Sequence, residues 1–222
     1  MPALGGVLKP PGVLMVHGEG SNARRMLRNA RIVASRGFTV ALVSMPGFGL
    51  SSGPLDLMGP ASVTAASKVL DALAKSEGVD ATKLAAWGVS RGATVVAELA
   101  TRRSDLKSIV LQSGIYDLWA VYRGTDSPEL RDAIVAQAGK DSTAWRERSP
   151  LLRSAKIAMP VLVVHGEKDA RVPVAQAHAL VSALEARRAK VESSFIERGA
   201  HVISPNEALR VSTEFLKRSL AL

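Results

Sequence analysis

The pentapeptide Gly-Val-Ser-Arg-Gly at positions 88–92 constrains the fold of this chain more than any other feature of the sequence. An apolar run at 84–87 precedes it, and the segment 93–100 that follows has the composition of a helix. This setting predicts a strand that enters a sharp turn and leaves as a helix. Glycine is needed on both sides of Ser90 because a Cβ there would collide with the crowded backbone of the turn.

Such a turn lifts Oγ of Ser90 clear of the sheet. It also places the N–H of Arg91 at the positive end of a helix, where it can stabilise an oxyanion. A glycine-rich structural turn with a chance serine would have the same five letters, so the rest of the chain has to decide between the two interpretations.

Six short apolar segments, most of them β-branched, are predicted as strands: 13–16, 39–43, 84–87, 108–111, 161–164 and 191–196. The first five lack clean alternation, which is typical of strands buried on both faces. Helical patterns lie between them at 26–34, 63–74 and 174–189, and another follows Pro205. The alternation predicts the α/β class, with about six mostly parallel strands and helices on both faces of the sheet.

In a parallel sheet of this kind the functional groups gather at the carboxyl ends of the strands. Ser90 follows the third predicted strand, Asp169 the fifth and His201 the sixth. A nucleophilic serine needs a base to take its proton, and the base needs an acid to hold its tautomer. The sequence therefore predicts a catalytic triad in the order Ser90, Asp169, His201.

The chain has four histidines, so the base can be assigned by elimination. His17 lies in a His-Gly turn, where it is expected to shape the loop, and His165 lies in a similar turn and is expected to be structural. His178 falls inside a predicted helix as a surface or packing residue. His201 is the remaining candidate, on a glycine-containing loop after the last strand.

Two aspartates compete for the role of the acid. Asp117 follows the fourth predicted strand, and its alternative interpretation is a helix cap. Asp169 is preferred, because its loop is expected to neighbour that of His201 in a sequentially wound sheet.

The length of 222 residues and the hydrophobic content of 47% are sufficient for one α/β core, so residues 1–222 are predicted to form a single domain. With no cysteine, disulfides and thiolate zinc sites are excluded, and neither a metal nor an organic cofactor is expected.

No apolar run reaches the roughly 18 residues of a membrane span, and no membrane partner is expected. The first residues do not resemble a signal peptide, which slightly favours the cytoplasm.

The formal net charge is +9, but only 4% of the residues are aromatic. The basic residues are spread over several predicted helices, without the interleaved aromatic residues that a nucleic-acid-binding face usually carries. The charge is therefore interpreted as a solvated basic surface, and no nucleic-acid partner is expected.

These motifs together resemble an α/β-hydrolase, and specifically the catalytic domain of the prolyl oligopeptidase family and its related small serine esterases. The matching segments are 17–18, 88–92, 149–151, 159–173 and 199–201. The resemblance implies that Ser90 is the nucleophile, Asp169 the acid and His201 the base. It also implies an oxyanion hole made by the backbone N–H groups of Arg91 and of Glu19, beside Gly18.

The sequence departs from the family pattern in three ways. It begins close to the strand that normally comes third, so the usual first two strands are expected to be missing. It shows no β-propeller, and the stretch from Gly114 to Lys156 is expected to form one or two helices rather than a large lid. These departures favour hydrolysis of small, short-chain carboxylic esters, because an ester needs less substrate positioning than an amide. A family peptidase and a non-catalytic binding module on the same scaffold remain the alternatives.

Overall fold

The computed structural model describes residues 9–222, which form a six-stranded parallel sheet in the order β2-β1-β3-β4-β5-β6. The strands are β1 (Pro11–Val16), β2 (Thr39–Val43), β3 (Asp80–Val89), β4 (Leu106–Gln112), β5 (Val161–Gly166) and β6 (Val191–Ile196). The helices are α1 (Ala23–Ala34), α2 (Pro60–Ala74), α3 (Arg91–Ala100), α4 (Leu118–Gly124), α5 (Pro128–Ala138), α6 (Ser142–Arg146), α7 (Ala175–Glu185) and α8 (Pro205–Leu220). A 3₁₀ helix, Pro150–Lys156, precedes β5. The predicted fold class is confirmed.

Successive residues of each central strand belong to two different cores. Leu14 and Val16 of β1 pack with helices α2 and α3, whereas Val13 and Met15 pack with α1 and α8. This is the period-2 alternation of a strand with apolar side chains on both faces. Both faces of the sheet are therefore covered by helices, and the carboxyl ends of the strands form one open edge.

The expectation that the first five strands are buried on both faces is wrong for β2. Four of its five residues are only partly buried, whereas all six residues of β1 are buried. The difference follows from the strand order, because β2 is an edge strand and β1 lies inside the sheet.

The segment 114–156 contains more structure than the one or two helices expected of it. It forms α4, α5, α6 and the 3₁₀ helix. The side chains of Asp117, Ser127 and Asp141 accept hydrogen bonds from the first turns of the three α-helices. These caps satisfy otherwise free backbone N–H groups and start helices that are too short to show an apolar stripe in the sequence.

Helix α7 is shorter than its predicted span of 174–189 and ends at Glu185. Arg188 has a φ of 59°, in the left-handed region, which is incompatible with continuation of the helix. Within residues 9–222, no helix has both the length and the apolar character needed to cross a bilayer.

Candidate active site

Ser90 lies in a strained turn between β3 and α3. Its backbone has φ 53° and ψ −120°, a conformation that residues with a side chain rarely adopt. Its N–H donates to the carbonyl oxygen of Gln112 at 2.7 Å, which ties the turn to β4. A Cβ at Gly88 would collide with the backbone of Gly92, and a Cβ at Gly92 would collide with the backbone at the end of β1. The two glycines are therefore required by the close approach of backbone to backbone.

The structure brings Ser90, His201 and Asp169 into one chain of hydrogen bonds. Nε2 of His201 lies 2.9 Å from Oγ of Ser90, and its Nδ1 lies 2.8 Å from Oδ2 of Asp169. Strands β5 and β6 are adjacent, and so the loops that carry the acid and the histidine meet. In this arrangement Asp169 holds the imidazole with Nε2 directed at the serine.

Asp169 is buried, with 8% of its surface exposed, and the polar partners of its carboxylate are nitrogen atoms of backbone N–H groups and imidazole rings. Its Oδ1 accepts from the N–H groups of Arg171 at 2.9 Å and Val172 at 2.8 Å. Burial alone would raise the pKa of Asp169, but hydrogen bonds from His165, His201 and the Val172 N–H hold that pKa well below its usual range. These hydrogen bonds therefore favour the charged form of Asp169.

His165 also contacts Asp169, in addition to the purely structural role expected of it from the sequence. Its ring is fully buried, and Nε2 lies 3.0 Å from the carbonyl oxygen of Val172 and 3.2 Å from Oδ2 of Asp169. The four-residue spacing between His165 and Asp169 across a turn is the one signal in the sequence for this contact. His165 fixes both the acid and the loop that follows it.

The loop after β1 lies directly against the serine. A Cβ at Gly18 would lie 3.1 Å from Cβ of Ser90. When Ser90 attacks a carbonyl carbon, the oxyanion that forms on that carbon is therefore within reach of the backbone of this loop. Arg91 is the first residue of α3, and its N–H has no partner within the helix. The Glu19 N–H likewise has no hydrogen-bond partner in the part of the chain that the structure describes. The two N–H groups expected to bind an oxyanion thus lie on the two backbone segments that flank Ser90.

His17 holds this loop in place. Met45 donates its N–H to Nε2 of His17 at 3.0 Å, and Nδ1 therefore carries the proton and donates to the carbonyl oxygen of Gly18 at 2.7 Å. Burial lowers the pKa of His17, so the ring is neutral in this role.

The side chains of Glu19 and Arg91 form an ion pair, with Oε2 of the glutamate 2.5 Å from Nε of the arginine. The same guanidinium donates to Oε1 of Gln137 on α5 at 2.8 Å. Arg91 therefore joins the loop after β1 to helix α5.

Asp117 and His178 lie elsewhere. Asp117 caps α4, and its Oδ1 accepts from the N–H of Ala120 at 3.1 Å. His178 is exposed on α7, with its ring 4.3 Å from that of Phe195. The helix-cap interpretation of Asp117 therefore describes what this side chain does.

Two cavities meet at Ser90 and His201. The first, of about 480 Å³, lies beneath α4 and α5, and its apolar wall includes Ile115, Leu130 and Val172. The second, of about 250 Å³, lies on the α1 side of the sheet. The serine is thus accessible from two compartments, which share Glu19, Ser90, Arg171 and His201 and otherwise have different linings.

The sequence profile of the prolyl oligopeptidase family matches residues 25–221. The chain belongs to the prolyl oligopeptidase family. It is a serine hydrolase of this family with the α/β-hydrolase fold, and the resemblance stated from the motifs is confirmed.

Two relatives show how much of the length of similar proteins this chain covers. It is 24% identical to the acylamino-acid-releasing enzyme 2 of Oryza sativa subsp. japonica, over 87% of this chain and 28% of that enzyme. It is 27% identical to the uncharacterized peptidase YtmA of Bacillus subtilis, over 90% of this chain and 79% of that protein. The chain thus spans less than a third of the rice enzyme and most of YtmA.

Among solved structures, the chain superposes on a puromycin-hydrolyzing peptidase of Mycobacterium tuberculosis with a TM-score of 0.85. The two are 24% identical, and the match covers 99% of this chain and 36% of the other. A likeness at this identity shows a common fold.

Proposed function

We propose that this chain hydrolyses amide bonds in small peptides and in acylated or aminoacyl amines, through an acyl-enzyme formed on Ser90. The observation that carries the proposal is the pair of hydrogen bonds that link Oγ of Ser90 to His201, at 2.9 Å, and His201 to Asp169, at 2.8 Å. A nucleophile, its base and an orienting acid at these distances are the groups that acyl transfer needs.

In the first step, Oγ of Ser90 attacks the substrate carbonyl carbon while Nε2 of His201 takes the serine proton. The carbonyl oxygen becomes an oxyanion and accepts hydrogen bonds from the N–H groups of Arg91 and Glu19. Asp169 stabilises the imidazolium. The C–N bond then breaks as Nε2 returns the proton to the leaving nitrogen.

In the second step, water attacks the acyl-enzyme. His201 takes a proton from the water, and the resulting tetrahedral intermediate releases the acid as the proton returns to Oγ of Ser90. The depressed pKa of Asp169 keeps this carboxylate charged through both steps.

Two observations favour amides over the short esters expected from the sequence. The relatives include proteins named as acylamino-acid-releasing enzymes and as peptidases. The expectation of an open esterase site also rested on only one or two helices between 114 and 156, whereas α4, α5 and the turn between them help to wall a cavity of about 480 Å³. Such a cavity can hold an apolar acyl group in the orientation that amide cleavage requires.

The test is a comparison of kcat/KM across N-acetyl-phenylalanine p-nitroanilide, phenylalanine p-nitroanilide and a series of p-nitrophenyl esters from acetate to palmitate. The Ser90→Ala protein supplies the blank. We expect turnover of at least one of the two phenylalanine anilides. The corresponding alanine anilide should be hydrolysed more slowly, because its side chain buries less apolar surface in the larger cavity. Ester turnover without any anilide turnover would reject the amide proposal and restore the short-ester interpretation.

A further inference from the structure

The smaller cavity carries polar side chains that the hydrolytic mechanism does not use. It reaches Ser90 and His201 from the α1 side of the sheet, and its wall also includes Gln112, Arg171 and Arg25. Its volume of about 250 Å³ has room for a small group rather than an extended peptide.

Gln112 is the most informative residue of this wall. It is the last residue of β4, and only 7% of its surface is exposed. Its side chain shares the sheet face of Val110, on the side of α1 and α8, because alternate residues of a strand point the same way. Its side-chain amide makes no hydrogen bond to residues 9–222, and it is not among the polar atoms that the fold seals from solvent. The NH₂ group is thus a free donor that faces the cavity beside the nucleophile.

Two arginines add positive charge to the same wall. The backbone of Arg171 is fixed by the hydrogen bond from its N–H to Asp169, at 2.9 Å, while its guanidinium is exposed and has no ion-pair partner in the part of the chain described. The guanidinium of Arg25 is held at the rim by donation to the carbonyl oxygen of Gly20 at 2.7 Å. The acidic residue of this wall, Glu19, is neutralised by its ion pair with Arg91.

We infer that this cavity binds the leaving half of the substrate and favours a leaving group that ends in a carboxylate, such as a free C-terminal amino acid. The inference rests on the proposed function. Nε2 of His201 delivers its proton to the leaving atom, so this half departs along the histidine. Both cavities reach His201, but the smaller one alone of the two also borders the next residue, Val202. The acyl half then occupies the apolar cavity, which Arg91 borders. Guanidinium and amide N–H groups are donors that match a carboxylate.

A pair of esters isolates the charge of the leaving group. 3-Carboxyphenyl acetate and 3-carbamoylphenyl acetate have the same acyl group and nearly the same shape. The leaving group of the first carries a carboxylate charge, and that of the second carries a neutral amide. Each kcat/KM is divided by the rate constant for hydroxide hydrolysis of the same ester. We expect a corrected ratio of about ten in favour of the carboxylate, as hydrogen bonds to a charged group would give. The ratio should fall as salt is added.

Three variants locate the selectivity. Arg171→Gln and Gln112→Leu should bring the ratio towards one, with Arg25→Gln as a substitute should either fail to fold by circular dichroism. Arg24→Gln is the control, because this substitution removes the same charge from the helix that carries Arg25. Arg24 is exposed and does not border the cavity. This variant should keep the wild-type ratio.

The outcomes separate this inference from the proposed function. A wild-type ratio of one, with both esters hydrolysed, would overturn the inference and leave hydrolysis by Ser90 intact. An Arg24→Gln ratio that falls as far as that of Arg171→Gln would also overturn it, since the general positive potential would then be responsible. Failure to hydrolyse any substrate, with no reaction of Ser90 towards a phosphonate, would overturn both.

Discussion

The carboxylate of Glu19 lies 2.5 Å from Nε of Arg91, so the two residues proposed to supply the oxyanion-binding N–H groups are also joined through their side chains. Strands β1 and β3 are neighbours, and therefore the loop that carries Glu19 lies beside the start of α3. We expect this ion pair to hold the two proposed backbone donors at a fixed spacing.

Arg91→Gln should lower kcat by about tenfold, with a smaller effect on KM. The substitution keeps the backbone N–H but releases the Glu19 loop and leaves an unpaired carboxylate near the developing negative charge. Glu19→Gln in the same protein should recover part of the loss, because it removes that charge. The measurement is a double-mutant cycle on kcat, and strictly additive losses would show that the two side chains do not act together.

Asp169→Asn should reduce kcat by about 10⁴, because His201 loses the anion that orients it and stabilises its cation. Asp117→Asn makes the same chemical change at a helix cap and should leave kcat within a few-fold of wild type. Steady-state kinetics on the best substrate compares the two. A larger loss of kcat from Asp117→Asn would show that Asp117, after β4, is the catalytic acid and that the assignment to Asp169 is wrong.

The stability contributed by Asp169 should depend on pH in one direction. Its pKa in the folded protein is held below that of an unfolded aspartate, which is about 3.9. The stabilisation is therefore present above about pH 4 and is lost as the pH falls through the folded-state pKa. Urea unfolding of wild type and Asp169→Asn at pH 7, 4 and 3 should show their difference in free energy of unfolding shrinking as the pH decreases. A difference that grows towards low pH would contradict the proposed hydrogen-bonding of this carboxylate.

His165→Gln should lower kcat by about tenfold with little change in KM, because small displacements of the acid misalign His201. His178→Gln, on the exposed face of α7, is the matched control and should have no effect. Because His165 is fully buried, the free energy of unfolding is measured alongside the kinetics. An unchanged kcat in a folded His165→Gln protein would assign this residue to packing alone.

The strands and the three candidate catalytic residues were predictable from sequence because they depend on local pattern. The bounds of β2 and β6 follow directly from their runs of strand-forming residues, and Ser90, Asp169 and His201 each follow a strand. In a parallel sheet the chain order of the strand ends is enough to bring such residues to one edge.

Other features depend on which strands become neighbours, and no local pattern encodes them. The partial exposure of β2 follows from its place at the sheet edge, and the inward position of Gln112 follows from the register of β4 against β3 and β5. The pairing of Glu19 with Arg91 likewise needs two chain segments about 70 residues apart to meet. One or two helices were expected between 114 and 156, and the number is higher because caps, rather than apolar stripes, define the short helices before β5.

The most direct test of the account is the reaction of the intact protein with a fluorophosphonate, followed by mass spectrometry. The account predicts one phosphonyl adduct per wild-type chain, located on Ser90 in the peptide map, and no adduct on a folded Ser90→Ala protein. His201→Ala should react much more slowly, because the serine loses its base. A folded wild-type protein that forms no adduct, or an adduct that persists in Ser90→Ala, would contradict the claim that Ser90 is the nucleophile of this chain.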